Sequence, residues 1–273
     1  MDAAVIVTTY NRPRALAEVL RALVRQTRLP DQVAVADDGS GPETAAVVGQ
    51  AAAAAPFALR HVRQQDRGFR AARIRNRAIA ACPQAYIILL DGDCIPGCHF
   101  VEDHLRLACP GYFFQGKRVL VGPRLSPRFT AEDAGRPWKL AFEVLRGQLG
   151  NWHHLLRVPL VKPVRTRRLG GVRSCNMGIF RRDLVAVNGF NQDFEGWGRE
   201  DTELVVRLYR LGLKRLEHPF MAVCYHLWHA EHDRRSLARN DRLLEAALTS
   251  ESYFCPNGLV SGGGLRDSSG GAT

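Results

Sequence analysis

The chain has no uninterrupted apolar run of about 18 residues, the length at which a helix begins to span a bilayer. Its first residues pass directly into Ala3-Ala4-Val5-Ile6-Val7, with neither a basic lead nor a cleavage site, so they read as a core strand and not as a secretory signal. No Gly-x-Gly-x-x-Gly follows that strand, which argues against NAD, and the lack of a Walker lysine loop argues against a P-loop nucleotidase. Cys94 and Cys98 have no second cysteine pair at zinc-site spacing, so a metal knuckle is not expected. Internal repeats are missing as well.

What is present is an ordinary globular composition, 46% hydrophobic over 273 residues, with a formal net charge of +11. The excess concentrates in stretches such as Arg165-Thr166-Arg167-Arg168 and Arg234-Arg235 and favours phosphate-bearing or anionic partners: nucleotides, nucleic acid, lipid or an acidic glycan. The seven cysteines, Cys82, Cys94, Cys98, Cys109, Cys175, Cys224 and Cys255, are irregularly spaced and mostly sit in apolar segments, where a free thiol packs as a small hydrophobe. That usage fits a reducing cytoplasm.

The first half alternates short apolar runs with helical patterns. Ala3–Thr9 reads as a strand buried on both faces, followed by a helix capped by Asn11, with Pro13 in its first turn and Leu16, Val19, Leu20, Leu23 and Val24 on its buried face. Strands are expected at Gln32–Ala36, Phe57–Val62 and Tyr86–Leu90, and helices at Glu43–Ala55 and Arg70–Cys82. This rhythm predicts an α/β, mostly parallel, doubly wound sheet with ligands at the carboxyl ends of its strands. Further on, Arg118–Val121, Ser174–Phe180 and Ala222–Tyr225 read as strands and Ala131–Gly147, Glu200–Leu211 and Arg234–Leu248 as helices, with a flexible basic loop ending at Gly170-Gly171. From Pro256 the chain is mostly Gly and Ser and is expected to be disordered to residue 273.

Polar chemistry gathers at the predicted strand ends. Asp91-Gly92-Asp93 closes the run Ile87–Leu90, and two carboxylates across a glycine can hold a divalent cation that neutralises a diphosphate. Asp37-Asp38-Gly39-Ser40 suits a turn, or a carboxylate accepting the N–H of a pyrimidine, with Thr8–Tyr10 closing round the ring. Arg70 and Arg73 open a helix, where phosphates are favoured; Arg73 and Arg77 equally suit a solvated face. Trp197-Gly198-Arg199-Glu200-Asp201 puts two acids in a first helical turn, either complementing the helix dipole or supplying a general base, with Trp197 as an apolar platform for a sugar ring. His226 and His229 close a strand-like segment; imidazole beside carboxylates shifts a cation site from Mg²⁺ toward Mn²⁺. His232 continues the spacing and is assigned no role.

Together these stretches resemble the family 2 glycosyltransferases of the GT-A fold. The N-terminal likeness rests on Val7-Thr8-Thr9-Tyr10-Asn11-Arg12-Pro13, Asp37–Ser40, Gly68–Asn76 and Leu90–Asp93. The C-terminal half looks like the β-1,4-galactosyltransferase and chondroitin-polymerase type, through Gly170-Gly171-Val172, Asn176-Met177-Gly178, Asn188-Gly189-Phe190, Trp197–Asp201 and His226-x-x-His229. The resemblance implies a single Rossmann-like GT-A domain over 1–255, a mostly parallel mixed sheet flanked by helices: a nucleotide-sugar half (1–109), a variable segment (110–170) and an acceptor half (171–255). It implies a UDP-sugar donor bound by Thr8, Tyr10, Asn11, Arg12, Asp38, Arg73, Asp91, Gly92 and Gly171. Mn²⁺, with Mg²⁺ as the alternative, would be held by Asp93 and His229, with Asp91 and His226 beside them. Asp201 would be the general base of an inverting transfer, and Trp197, Gly198, Arg199 and Glu200 would hold a glycan or lipid-linked glycan acceptor. The galactosyltransferase pattern has methionine in place of His226 and glycine in place of Arg199; the second departure suggests an acidic acceptor.

Competing readings are a sugar-nucleotide nucleotidyltransferase, which needs a glycine-rich triphosphate loop that Thr8–Arg12 does not provide, and a non-catalytic, basic nucleic-acid-binding α/β protein, for which no motif appears. No nucleic acid is therefore expected as a partner. The positive charge also suggests peripheral contact with the anionic inner face of a membrane.

Overall fold

The computed structural model describes residues 1–230 and 233–260. The first half is β1 (Ala3–Thr9), α1 (Pro13–Val24), β2 (Gln32–Asp37), α2 (Pro42–Ala54), β3 (Ala58–Arg63), α3 (Ala71–Ala80) and β4 (Tyr86–Asp91). Next come β5 (Cys94–Pro96), α4 (Phe100–Leu107), β6 (Tyr112–Gln115), β7 (Lys117–Val121), α5 (Ala131–Ala134), α6 (Pro137–Leu145), β8 (Leu149–Gly150) and β9 (Val164–Thr166). The chain continues through β10 (Asn176–Phe180), α7 (Arg181–Ala186), α8 (Glu200–Arg210), β11 (Lys214–Glu217), β12 (Val223–His226) and α9 (Leu237–Thr249).

An eight-stranded sheet runs β3-β2-β1-β4-β10-β6-β11-β9, and a smaller one runs β5-β12-β7-β8. Side chains alternate across β1. Val5 and Val7 join Leu16, Leu20 and Leu23 of α1 on one side, while Ala4 and Ile6 join Ile74 and Ile79 of α3 and Leu204 and Leu208 of α8 on the other. Covering both faces is what makes β1, β2 and β4 near-continuous apolar runs. No helix among the described residues is long and apolar enough to cross a membrane.

The sheet is mixed, as the GT-A resemblance implies: β3-β2-β1-β4 are parallel, while β10 pairs antiparallel with β4 and β6, and β9 antiparallel with β11. Several other expectations are corrected. Asn11 does not cap α1. It sits at φ 48°, accepts the Gly41 N–H at 2.9 Å through Oδ1 and gives its own N–H to Ser40 Oγ, tying the β1–α1 loop to the turn after β2. Val24 is exposed, not on the buried face. The helix expected over 131–147 is two, because α5 ends at Gly135 and Pro137 cannot continue its hydrogen bonding. The basic loop contains β9 as an edge strand. Residues 256–260 are packed, not disordered: Asn188 donates to the Cys255 and Val260 carbonyls and accepts the Val260 N–H at 2.9 Å. His232 and the expected tail beyond residue 260 lie outside the described residues.

Candidate active site

The carboxyl ends of β1, β2 and β4 lie side by side, so the acids that follow them line one cleft. In the turn after β2, Asp37 is consumed structurally: it accepts the Ser40 N–H at 2.8 Å and meets His61 Nε2 at 2.9 Å. Asp38 is buried, accepts the Arg70 N–H at 2.7 Å and is also bonded by Gln64. Burial pushes its carboxyl above the ordinary range, against the pull of those two donors. Gly39 has φ 95°, and a Cβ there would fall 2.5 Å from the Asp66 backbone, so only glycine allows this close approach. Asp66 in turn accepts the Tyr10 hydroxyl at 2.9 Å, leaving the exposed Tyr10 ring beside Asp38.

After β4, the Gly92 N–H binds the Thr8 carbonyl at 2.7 Å, and the two flanking acids diverge. Asp93 faces His229 Nε2 at 3.4 Å, His226 Nε2 at 3.9 Å and Arg12 Nη1 at 3.0 Å. Ligand atoms of Asp93, His226 and His229 all lie within 4.8 Å of one another, a spacing that a single ion can bridge. His229 Nδ1 meets the Ala230 carbonyl at 2.7 Å, which favours the tautomer with the proton on Nδ1 and turns Nε2 toward Asp93. Burial pulls His226 down to about 4, opposed by Asp93, so its imidazole is neutral and able to ligate at neutral pH. These three residues fit a divalent cation.

Asp91 turns the other way, to Arg75 Nη2 at 3.3 Å. Arg75 is the centre of the cleft. Its Nη1 lies 3.3 Å from Glu200 and 3.4 Å from Asp201, its Nε 3.3 Å from Thr8 Oγ1, and its guanidinium 5.3 Å from the Phe190 ring centroid. Burial alone would lower Arg75, but Asp201, Asp91 and Glu200 hold it above its ordinary value. Three carboxylates around one guanidinium leave surplus negative charge, and protons compensate. Asp91 is raised to about 6 by burial, Asp93 and Asp201, with Arg75 opposing. Glu200 is raised to about 7 by burial and Asp201, again against Arg75.

Asp201 opens α8, and its Oδ2 accepts the Ser174 N–H at 2.8 Å. The approach to that helix is unusual backbone: Gly196, Gly198 and Arg199 all have positive φ, with Arg199 at 78°. An arginine in the left-handed region is strained where glycine would not be. Its side chain is bound to Asp241 of α9. Trp197 is 37% exposed and the Arg234 guanidinium sits 5.5 Å from its ring, so one face of the expected sugar platform already has a cation near it. Gly171 has φ 77° on the loop before β10, and the Gly170 carbonyl is held by Arg215 at 3.0 Å.

Thr8, Asp91, Glu200 and Asp201 are therefore brought together, and Arg12, Asp93, His226 and His229 form an adjoining group. Asp91 belongs with Arg75 more than with the histidines. Arg73 does not join either group: two residues from Arg75 on α3, it points from the opposite, exposed face. Arg75 itself was not anticipated. The signal was available in helical phase, since Ala71, Arg75 and Ile79 follow one another at intervals of four along the buried stripe of α3.

The model of the family described as glycosyl transferase family 2 matches residues 4–183, and that described as the N-terminal domain of galactosyltransferase matches residues 162–232. Chondroitin synthase of Escherichia coli is 26% identical over 231 residues, covering 76% of this chain and 32% of that protein. Validoxylamine A glucosyltransferase of Streptomyces hygroscopicus subsp. limoneus is 28% identical over 273 residues, covering 92% of this chain and 54% of that protein. The chain thus spans from about a third to just over half of the length of these relatives. The crystal structure of GalNAc-T7 with UDP, GalNAc and Mn²⁺ superposes with a TM-score of 0.62 at 13% identity, over 85% of this chain and 44% of that one, a likeness of fold. With the first match running from β1 through β10, the chain belongs to glycosyl transferase family 2 and has the GT-A fold.

Proposed function

We propose that the chain transfers a hexose, of galactose or N-acetylhexosamine type, from a UDP-sugar to a glycan hydroxyl with inversion, in surface polysaccharide or glycolipid synthesis. The observation that carries this reading is the Arg75 bridge, which joins the acid of the donor-side strand end, Asp91, to the acid opening α8, Asp201. A donor-binding carboxylate and a candidate base in contact with one guanidinium share one cleft.

Asp38, Thr8 and Tyr10 line the base pocket, with Asn11 holding that loop to the turn carrying Asp38. Arg12 sits beside Asp93, where a guanidinium suits a diphosphate oxygen. Asp93, His226 and His229 hold the divalent cation, and two imidazoles favour Mn²⁺. When bound, the cation supplies charge neutralisation to the departing diphosphate. Asp201 takes the proton of the acceptor hydroxyl, oriented by the Ser174 N–H and Arg75. That hydroxyl attacks the anomeric carbon from the side opposite the diphosphate, which inverts the configuration in a single displacement. Glu200, Trp197, Gly198 and Arg199 frame the acceptor, and the loop before Gly171 closes over the donor and excludes water.

A location on the inner face of a membrane is supported by α6. Trp138, Phe142 and Leu145 project from one side of it and are 69%, 51% and 87% exposed. Over residues 136–168 the only acid, Glu143, is buried, while Arg136, Lys139, Arg146 and Lys162 are among the cations. Exposed aromatics among cations suit an anionic bilayer surface. Seven free cysteines suit a reducing compartment.

The test is to incubate the chain with a panel of UDP-sugars, Mn²⁺ and glycan acceptors and to measure UDP release and product anomericity. Release of UDP with a product of inverted configuration is expected. Pyrophosphate release, or no UDP-sugar binding by thermal shift, would refute the reading.

A further inference from the structure

A pocket of about 440 Å³ opens where the loop before β10 passes the ends of β6 and β11. In the large sheet these strands lie on the far side of β4 from β2, so the pocket is separated from Asp38 by the width of several strands. Its lining includes Cys175 and Asn176, which directly follow Ser174, the residue whose N–H holds Asp201. The pocket therefore adjoins the candidate base, and it borders the donor side through Gly171 and through Arg118, whose charge reaches His226.

Its charge is one-sided. Lys117, Arg118, Arg168, Arg173 and Arg215 line it, against one acid, Glu217. Glu217 is already shared by Lys117 and by Arg215, whose Nε lies 2.7 Å from it. Arg118, Arg168 and Arg173 have no ion pair and no side-chain hydrogen bond among the described residues. Arg173 is pulled below the ordinary guanidinium range by burial and then by the nearby charge of Arg118, with Asp201 pulling the other way, so two like charges converge there with no acid among the described residues ion-paired to either. Gly170 and Gly171 form part of the wall, which lets a ligand approach the backbone closely.

We infer that this pocket is an acceptor subsite for an anionic group, the carboxylate of a uronic acid or the phosphate of a phosphorylated glycan, received by Arg118, Arg168 and Arg173. Arginine forks match either group in bidentate geometry, and a pocket partly shielded from water strengthens the pairing. The acidic acceptor suggested by Arg199 is thereby moved to other residues, since Arg199 is engaged by Asp241. The inference rests on Asp201 being the base.

Binding of three probes to the full chain, with UDP and Mn²⁺ present, tests it: para-nitrophenyl β-glucuronide, para-nitrophenyl β-glucoside, and the same glucoside carrying a phosphate ester. One of the two anionic probes should bind about tenfold tighter than the neutral glucoside at low salt, with the preference falling as salt rises. The identity of the favoured probe distinguishes carboxylate from phosphate. Arg118→Gln and Arg173→Gln should abolish that preference while leaving UDP affinity within about twofold of the parent, and Arg118→Lys should retain part of it. Equal binding of all three probes overturns the inference. So does a loss of UDP affinity in the glutamine variants matching their loss of the anionic probe, because the arginines would then serve the donor. Failure of the parent chain to bind UDP at all would refute the proposed transferase, and the same comparison without UDP would still read the pocket.

Discussion

The backbone N–H of Ser174 points at Asp201 Oδ2 from 2.8 Å, so the loop entering β10 aims the carboxylate that opens α8. Orientation of the base thus comes from main chain that is itself fixed by the sheet. Asp201→Asn retains an oxygen to accept this bond but cannot take a proton. Transfer is expected to fall by about a hundredfold to ten-thousandfold, with UDP binding by thermal shift unchanged. Full transfer activity in the variant would remove Asp201 from the role.

Asp93 contributes the only carboxylate of the cluster with His226 and His229. Asp93→Ala is expected to abolish the Mn²⁺ dependence of UDP affinity, and chelation of the parent chain should lower its UDP affinity to that of the variant. Titration calorimetry with and without Mn²⁺ checks both. An unchanged metal dependence would count against the ligand role.

Arg75→Met leaves Asp91, Glu200 and Asp201 without their common cation. Removing one partner of a buried charge cluster costs about 3–5 kcal/mol. Asp91 and Glu200, already raised by burial and now without Arg75 opposing, then bind protons more readily in the folded than in the unfolded chain, so the variant should recover stability as pH falls from 7 to 5. Urea unfolding at the two pH values measures this. A loss of stability that is the same at both would show that charge was not its cause.

His104 lies among the rings of Phe100, Phe114 and Tyr86, gives Nε2–H to Asn176 Oδ1 at 2.9 Å, and has no partner at Nδ1. Burial lowers it to about 4. A group depressed in the folded state favours folding above its unfolded value and loses that contribution as pH falls toward the folded one. For His104 the window runs from about 6.5 down to about 4. The parent chain should lose about 2 kcal/mol through this residue between pH 7 and 5. His104→Gln, which cannot be protonated, should be less stable at pH 7 and show a correspondingly smaller loss. Parallel pH profiles of the two chains would refute the assignment.

On α6, replacing Trp138, Phe142 and Leu145 together with serine removes an exposed apolar stripe without touching the core. Binding to phosphatidylglycerol-containing vesicles should drop at least about tenfold while UDP affinity stays the same. If the parent chain does not float with such vesicles at physiological salt, the membrane contact is wrong.

Much of the donor side is legible in the sequence because buried parallel strands write themselves as apolar runs, and the acids that end them stand out. Asp38, Asp91 and Asp93 are found this way. Strand direction is not written there: Asn176–Phe180 is buried as β4 is, yet runs antiparallel to it, since hydrogen-bond pairing and not burial decides direction. Asn11 carries the composition of a helix cap, but its side chain found a better partner in Gly41 across the fold. Among Arg73, Arg75 and Arg77 of α3, composition makes no distinction; only the helical phase selects the one that turns inward. The basic pocket was the least visible part, because its arginines come from separate strands and one loop that converge only on folding.

The short stretch after α9 that returns to Asn188 has a practical consequence for anyone shortening this protein. Gly258 lies against Asn188, and the adjoining Gly189-Phe190 turn presents the ring that backs the Arg75 guanidinium. A boundary drawn at Cys255, where composition turns to glycine and serine, would cut away the clamp behind the cleft's central cation. A truncated protein of this kind should be judged by its catalysis, and not by its solubility alone.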